Sequence, residues 1–421
     1  MRARWLIVSL LFTGGAISYL DRAALSVAAP LIAKALDLDA AHLGIVFSVF
    51  FLGYAPMSFI GGAAADRFGP RRVLLVAMTI WSIACGATAA ATTLAFLIVI
   101  RLIFGMGEGP FCATAVKMVS HHFEPERQAS AIGLAYAGQP LGAALAGPIV
   151  GLVATLYGWR TSFLVIACFG LAWVLLWYLF AAERRPAAVP VVEQSASVEQ
   201  AAGSAPDRPG LLKTLRHRSI IATCIAFFSY AYVLYFFLSW FPTYLVRSYH
   251  LSLSEMGFIS MIPWLAGTVG LAAGGVLCDA FSRFIGNPLL ARKLLIGVCL
   301  FVTAICVGFA GRVTSVVGVM VLMTIGVFAL YVTSSLYYAL VLKIVPDQVS
   351  GGVSGFINLT ANLAGVVAPM ATGYMLTWSG SFSGAFALAA GVAVVGASAI
   401  LLFVRAEEKV PVPAHLGMQK G

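Results

Sequence analysis

Twelve stretches of roughly 20 or more mostly apolar residues run through the chain, and short polar segments separate them. A helix needs about 20 such residues to cross the hydrocarbon core of a bilayer. Each stretch therefore predicts one membrane-spanning helix, and the chain is predicted to be an all-α membrane protein. The predicted spans 1 to 12 cover residues 5–33, 43–64, 73–92, 95–119, 128–153, 162–182, 219–244, 254–277, 292–311, 314–342, 349–376 and 381–404.

The composition excludes a soluble enzyme. Of the 421 residues, 61% are hydrophobic and only 10% are charged, whereas a soluble domain carries about 25% charged residues. The loops are too short to hold a catalytic domain, so neither enzymatic activity nor a cofactor is expected. All seven cysteines fall inside predicted spans without the spacing of a metal or redox site. We interpret them as small core residues, and no metal site is expected.

The distribution of basic residues predicts the topology. If the N-terminus is cytoplasmic, twenty of the 26 Lys and Arg residues fall on the cytoplasmic side. Only four fall on the outer side, namely Lys34, Arg160, Arg247 and Arg312. This bias is the one that the positive-inside rule describes. It accounts for the net charge of +10 without a nucleic-acid partner and predicts that both termini are cytoplasmic.

One long polar segment divides the spans into two sets of six. The sequence predicts an N-terminal six-helix half (1–182), a cytoplasmic linker (183–218), a C-terminal six-helix half (219–404) and a cytoplasmic tail (405–421). The halves repeat each other. A Gly-x-x-x-Asp segment ends both span 2 (62–66) and span 8 (275–279), and Pro followed by an acidic residue precedes spans 5 and 11. Such internal repeats are typical of transporters, whose binding sites lie between the repeats.

The segment from Gly62 to Arg72 resembles the G-x-x-x-D-R-x-G-R-R/K loop that the major facilitator superfamily carries between spans 2 and 3. With twelve spans in two repeated halves, the resemblance covers the whole chain and implies the major facilitator fold. It also implies a conformational role for the loop residues Gly62, Asp66, Arg67, Gly69 and Arg71.

Three further segments, 19–26, 101–108 and 240–244, resemble the anion:cation symporter family. That family includes bacterial galactonate, glucarate and hexuronate proton symporters. The resemblance implies a transporter of the bacterial inner membrane that imports a small organic anion together with protons, namely a sugar acid such as a hexonate, hexarate or hexuronate.

Four charged residues lie deep within spans: Asp21, Arg22, Arg101 and Glu108. Each costs about 2.5–3.5 kcal/mol at a helix centre unless it is paired or hydrated. Arg101 and Glu108 share a face of span 4, about two turns apart. We predict that Asp21 pairs with Arg101, which leaves Arg22 for the substrate and Glu108 for the proton, with Asp21 as a second proton carrier. The alternative is a charge network that only fixes helix register.

An arginine suits an anionic substrate because its guanidinium group grips a carboxylate with two hydrogen bonds and keeps its charge. Tyr19 lies on the same helix face, and Tyr54 matches another site tyrosine of the family. In the second half, polar side chains replace charges. The predicted substrate residues are Arg22, Tyr19, Tyr54, Gln139, Ser335, Tyr338 and Asn358. For the uncharged ones, packing or hydrogen bonding between helices is the alternative.

The sequence therefore predicts a monomeric, proton-coupled importer of a sugar acid that works by alternating access in a lipid bilayer. Two alternatives remain open. One is an exchanger of organic phosphates or of aromatic or dicarboxylic acids, and the other is a membrane receptor that transports nothing.

Overall fold

The computed structural model describes residues 2–181, 214–345 and 347–405. Within them are 12 helices long and apolar enough to cross a membrane, so the predicted all-α architecture of twelve spans is confirmed. The predicted linker (183–218) and tail (405–421) lie almost wholly outside the described residues.

Nine spans are single helices, and spans 4, 5 and 10 each consist of two helical segments. In chain order the helices are Arg2–Leu36, Ala40–Phe68, Pro70–Ala87, Leu94–Glu108 with Phe111–Ser120, Pro125–Tyr136 with Gly138–Tyr157, Trp159–Phe180, Arg218–Tyr249, Leu253–Ile285, Pro288–Ala310, Val316–Val332 with Leu336–Ile344, Asp347–Ser379 and Ser383–Phe403.

We call the end of the bundle at which span 1 begins the inner end and the opposite end the outer end, following the predicted topology. At the outer end, span 2 crosses span 11 closely. Ser48 Oγ donates a hydrogen bond of 2.6 Å to the Val366 carbonyl oxygen. A Cβ at Gly44 would lie only 2.8 Å from the Pro369 carbonyl oxygen. Glycine therefore permits this approach, and the first six spans meet the last six here.

A second crossing, between spans 5 and 8, closes the other side of the outer end. The two backbones touch at a pair of glycines. A Cβ at Gly147 would lie 2.2 Å from the Gly257 carbonyl oxygen, and a Cβ at Gly257 would lie 2.4 Å from the Gly147 carbonyl oxygen. Any larger residue at either position would push the helices apart.

Toward the inner end the same helices expose their side chains. Phe59 on span 2 is 83% exposed, and no atom lies within 4 Å of a Cβ built at Gly355 on span 11. The helices therefore meet at the outer end and not at these inner positions. Under the predicted topology, this arrangement is inward-facing.

Candidate functional site

A cavity of about 180 Å³ lies between the two sets of six spans. Both sets contribute side chains, as expected for a site between repeats. Among the described residues that line it, Arg22 is the only charged one, and aromatic and amide side chains dominate the rest. The lining residues are Tyr19, Arg22, Tyr54, Cys112, Gln139, Phe227, Tyr230, Ala231, Leu234, Tyr235, Ser334, Tyr338, Asn358, Ala361 and Asn362.

Arg22 forms a buried ion pair with Glu108 of span 4. The Arg22 Nε atom lies 2.7 Å from Glu108 Oε1, and the two side chains are 6% and 0% exposed. Ser18 also donates a hydrogen bond to the same carboxylate oxygen. The other oxygen, Oε2, is buried without a hydrogen-bond partner. The carboxylate therefore lies behind the guanidinium group, away from the cavity lining.

Aromatic rings surround the Arg22 guanidinium group. Its central carbon lies 5.0 Å from the Tyr19 ring centroid, 4.9 Å from that of Phe50 and 4.5 Å from that of Tyr54. Cation–π attraction stabilises a desolvated guanidinium group at such distances. The rings hold the arginine at the edge of the cavity, and Tyr19 and Tyr54 also line it.

The predicted pairing of Asp21 with Arg101 is wrong in this structure. Among the described residues the buried ion pair is Arg22 with Glu108. Asp21 instead accepts a contact of 3.8 Å from the Cys85 thiol. Arg101 lies 4.9 Å from the Phe104 ring centroid, and its Nε atom has no hydrogen-bond partner. Adjacent residues point about 100° apart on a helix, and spacing alone could not decide which of Asp21 and Arg22 faces Glu108.

The helix of span 4 is broken between Glu108 and Phe111. The first segment ends at Glu108, and Phe111–Ser120 begins after Gly109 and Pro110. Proline lacks an N–H donor and interrupts the hydrogen-bond ladder. Beyond the break, the Cys112 thiol lies 3.8 Å from both Tyr54 Oη and Gln139 Nε2. Cys112 therefore lines the cavity as well as packing against the core. Of the cysteines predicted to be core residues, Cys168 is exposed, and for that one the prediction is wrong.

On the opposite side of the cavity, Tyr338 Oη donates a hydrogen bond of 3.1 Å to Asn358 Oδ1. The structure thus brings together two of the three predicted residues of the second half. Ser335 is exposed, whereas Ser334 lines the cavity. The prediction for Ser335 is wrong because span 10 breaks between Val332 and Leu336, which changes the helical phase before Tyr338. Sequence reasoning also missed Tyr230, Tyr235 and Asn362 as lining residues.

The predicted conformational loop lies at the inner end, and none of its residues lines the cavity. Gly69 adopts a φ of 86°, a left-handed value that favours glycine, and it separates spans 2 and 3. Asp66 forms an ion pair with Lys117 of span 4. Arg71 Nη2 donates a hydrogen bond of 2.8 Å to the Tyr178 carbonyl oxygen. Gly62 and Arg67 also lie at the end of span 2, and Arg67 packs over the Phe68 ring at 5.3 Å.

Comparison with known proteins supports what this geometry indicates. The sequence profile described as the Major Facilitator Superfamily matches residues 11–369. The chain belongs to the Major Facilitator Superfamily. It is therefore a multi-pass membrane transporter and not an enzyme.

Curated members of the superfamily match nearly the full length of this transporter. The hexuronate transporter of Bacillus subtilis (strain 168) is 42% identical over 401 residues, which cover 95% of this chain and 94% of that protein. The D-galactonate transporter of Escherichia coli O6:H1 is 30% identical over 416 residues, which cover 96% of each chain.

Solved structures of the superfamily share the fold. A bacterial homologue of the human lysosomal transporter Spinster, solved inward-facing and unoccupied, aligns with a TM-score of 0.75 at 18% identity and covers 95% of this chain and 94% of its own. A D-xylose–proton symporter aligns with a TM-score of 0.76 at 16% identity and covers 96% of this chain and 98% of its own.

Proposed function

We propose that this transporter imports a sugar acid with a single carboxylate, a hexuronate or a hexonate, together with protons. The observation that carries the proposal is the position of Arg22. It lines the cavity and at the same time is ion-paired to the fully buried Glu108. One guanidinium group therefore has two competing carboxylates, one from the protein and one from the substrate.

The charge of the cavity favours a monoanion. The lining residues of the second six spans, among them Ser334, Tyr338 and Asn358, are neutral. Amide and hydroxyl groups suit the hydroxyls of a sugar chain, whereas a second buried carboxylate would find no cation there. This argues against hexarates and against organic phosphate dianions. The likeness to a hexuronate transporter and to a D-galactonate transporter supports the same substrate class.

The ion pair supplies a coupling mechanism. While Glu108 is ionised, it occupies Arg22 and opposes the substrate carboxylate. Protonation removes the negative charge from Glu108 and frees the guanidinium group to bind substrate. Because a neutral carboxyl costs less to bury than an ion pair that has lost one partner, the loaded carrier holds a proton and a substrate anion together. Asp21, buried beside Cys85, is the second candidate for a proton carrier.

The charge bias supports the orientation in the membrane, and the bacterial relatives support the cellular setting. We propose that the protein resides in the inner membrane of a bacterium, with both termini cytoplasmic and with residues 1–182 and 219–404 as the two rocking halves. Since one chain forms the whole cavity, a single chain is proposed to transport. Gly62, Asp66, Arg67, Gly69 and Arg71 would then control opening at the inner end.

The direct test is uptake into proteoliposomes of radiolabelled glucuronate, galactonate and glucarate, with the outside at pH 6 or at pH 8. We expect uptake of the two monocarboxylates, stimulated by an acidic outside. Preferential uptake of glucarate would contradict the monoanion assignment. Uptake that is indifferent to the pH gradient would contradict proton coupling.

A further inference from the structure

A second polar pocket, of about 480 Å³, lies at the inner end of spans 8, 9 and 10. Three of its lining side chains are cationic and one is a carboxylate. The residues are Asp279, Ser282, Arg283, Pro288, Arg292 and Lys343. None of them lines the central cavity, so the pocket is separate from the substrate site. We call it the basic pocket.

The internal repeat allows the basic pocket to be compared with the equivalent region of the first half. In the first half, Asp66 at the end of span 2 is ion-paired with Lys117 in the last turn of span 4. The repeat places Asp279 at the end of span 8 and Lys343 in the last turn of span 10. Within the described part of the chain, these two form no ion pair although both line the basic pocket. The space between them is open, and Arg283 and Arg292 also line it.

Arg292 adds an unsatisfied donor. Its Nη1 atom donates a long hydrogen bond of 3.3 Å to the Ala339 carbonyl oxygen. Its Nε atom is buried and has no hydrogen-bond partner among the described residues. A buried donor on a charged group is costly to leave unpaired. The protein contacts of Arg292 therefore leave part of the hydrogen-bonding capacity of its guanidinium group unused.

The surroundings indicate a lipid. Phe284, directly after Arg283, is 87% exposed, and Val276, one turn before Asp279, is 69% exposed. Exposed apolar side chains at this end of the helix suit contact with the acyl chains of lipids. Basic pockets between helices on the cytoplasmic side of membrane proteins bind the head groups of anionic lipids.

We propose that the basic pocket binds a phosphate group and that an anionic phospholipid of the inner leaflet supplies it. Arg283, Arg292 and Lys343 hold the phosphate oxygens through charge-assisted hydrogen bonds. Asp279 limits the net attraction, which favours a singly charged phosphodiester over a doubly charged free phosphate. The acyl chains lie along the exposed apolar surface near Phe284.

The test is native mass spectrometry of the full-length transporter in detergent, titrated with phosphatidylglycerol, phosphatidylcholine or inorganic phosphate. The pocket variant is Arg283→Gln with Lys343→Gln, two exposed residues whose replacement leaves the buried packing intact. The matched control is Arg247→Gln, an exposed arginine at the outer end. We expect the pocket variant to bind phosphatidylglycerol roughly tenfold more weakly, and the control to behave as wild type.

Three outcomes would overturn the proposal. One is equal phosphatidylglycerol binding by the wild type and the pocket variant. Another is binding of phosphatidylcholine as tight as that of phosphatidylglycerol. The third is displacement of bound phosphatidylglycerol by low-millimolar inorganic phosphate, which would make free phosphate the ligand. Arg292→Lys provides a second variant, because it keeps the charge but loses the planar donors of the guanidinium group, and we expect it to weaken binding as well.

Discussion

Arg22 Nε and Glu108 Oε1 lie 2.7 Å apart, both side chains are almost fully buried, and only the arginine lines the central cavity. The pair joins span 1 to span 4 behind the site. We propose that Arg22 pairs either with Glu108 or with the carboxylate of the substrate. Proton binding at Glu108 and substrate binding at Arg22 are then coupled, and such coupling is reciprocal. Under the proposed mechanism, a proton on Glu108 strengthens substrate binding, and bound substrate raises the affinity of Glu108 for that proton.

Arg22→Lys tests the guanidinium group. Lysine keeps the positive charge beside Glu108 but loses the planar pair of donors. We expect substrate affinity to fall by about tenfold or more, while the protein still inserts and purifies normally. Equilibrium binding of glucuronate measures the effect, and Arg247→Lys at the outer end is the control. Unchanged affinity in Arg22→Lys would remove this residue from the carboxylate site.

The pH dependence of binding tests the competition. In the wild type, acidification protonates Glu108 and frees Arg22, so substrate affinity should rise as pH falls. With one linked proton, the rise is at most about tenfold per pH unit. In Glu108→Gln the competing carboxylate is gone, so binding should be tight and nearly independent of pH. A wild-type affinity that falls on acidification would contradict this account.

Tyr338→Phe tests recognition of the sugar hydroxyls. The change removes the hydroxyl that donates to Asn358 and preserves the ring. A neutral hydrogen bond contributes about 1 kcal/mol, so we expect the KM for glucuronate to rise about fivefold. A deoxy analogue that lacks the contacted hydroxyl should show no such rise. An equal rise for every analogue would indicate a structural role for Tyr338.

Gly147→Ala tests the outer crossing. The added Cβ would lie 2.2 Å from the Gly257 carbonyl oxygen, which destabilises the state in which spans 5 and 8 touch. A cost of about 1 kcal/mol shifts the population of outward-open carriers about fivefold. Labelling of Cys112 by a membrane-impermeant thiol reagent added outside, read by mass spectrometry, should increase accordingly. Gly133→Ala is the control, since nothing lies within 4 Å of that position.

Cys112 also provides a test of the cavity in the wild type. Its thiol lies beside Tyr54 and Gln139 in the cavity lining. Saturating substrate should therefore slow alkylation of Cys112 by N-ethylmaleimide severalfold. Cys168, exposed on span 6, serves as the internal comparison and should show no protection. Equal alkylation of Cys112 with and without substrate would place the substrate elsewhere.

The fold was predictable because membrane spans follow from hydropathy alone, and each apolar stretch became a span. The site residues that the sequence predicts best are the charged ones, because a charged side chain within a membrane span is costly unless it has a function or a partner. Arg22 and Glu108 are prominent for that reason. The exact pairing was not predictable, since the direction of a side chain depends on helix rotation, which only packing decides. An unbroken helix across residues 333–335 would favour Ser335 over Ser334, and the break in span 10 reverses that order. Cys112 was overlooked because a thiol carries no signal of burial in a polar cavity.

The central claim is that Glu108 couples proton movement to substrate movement, and Glu108→Gln tests it most directly. The variant keeps the shape of the protonated carboxyl and cannot release a proton. In proteoliposomes we expect it to retain substrate counterflow, because the loaded carrier can still rock. It should lose accumulation driven by a pH gradient, because the proton step is gone. Accumulation at the wild-type level would contradict the claim and move coupling to Asp21, and loss of counterflow as well would make Glu108 a substrate-binding or structural residue.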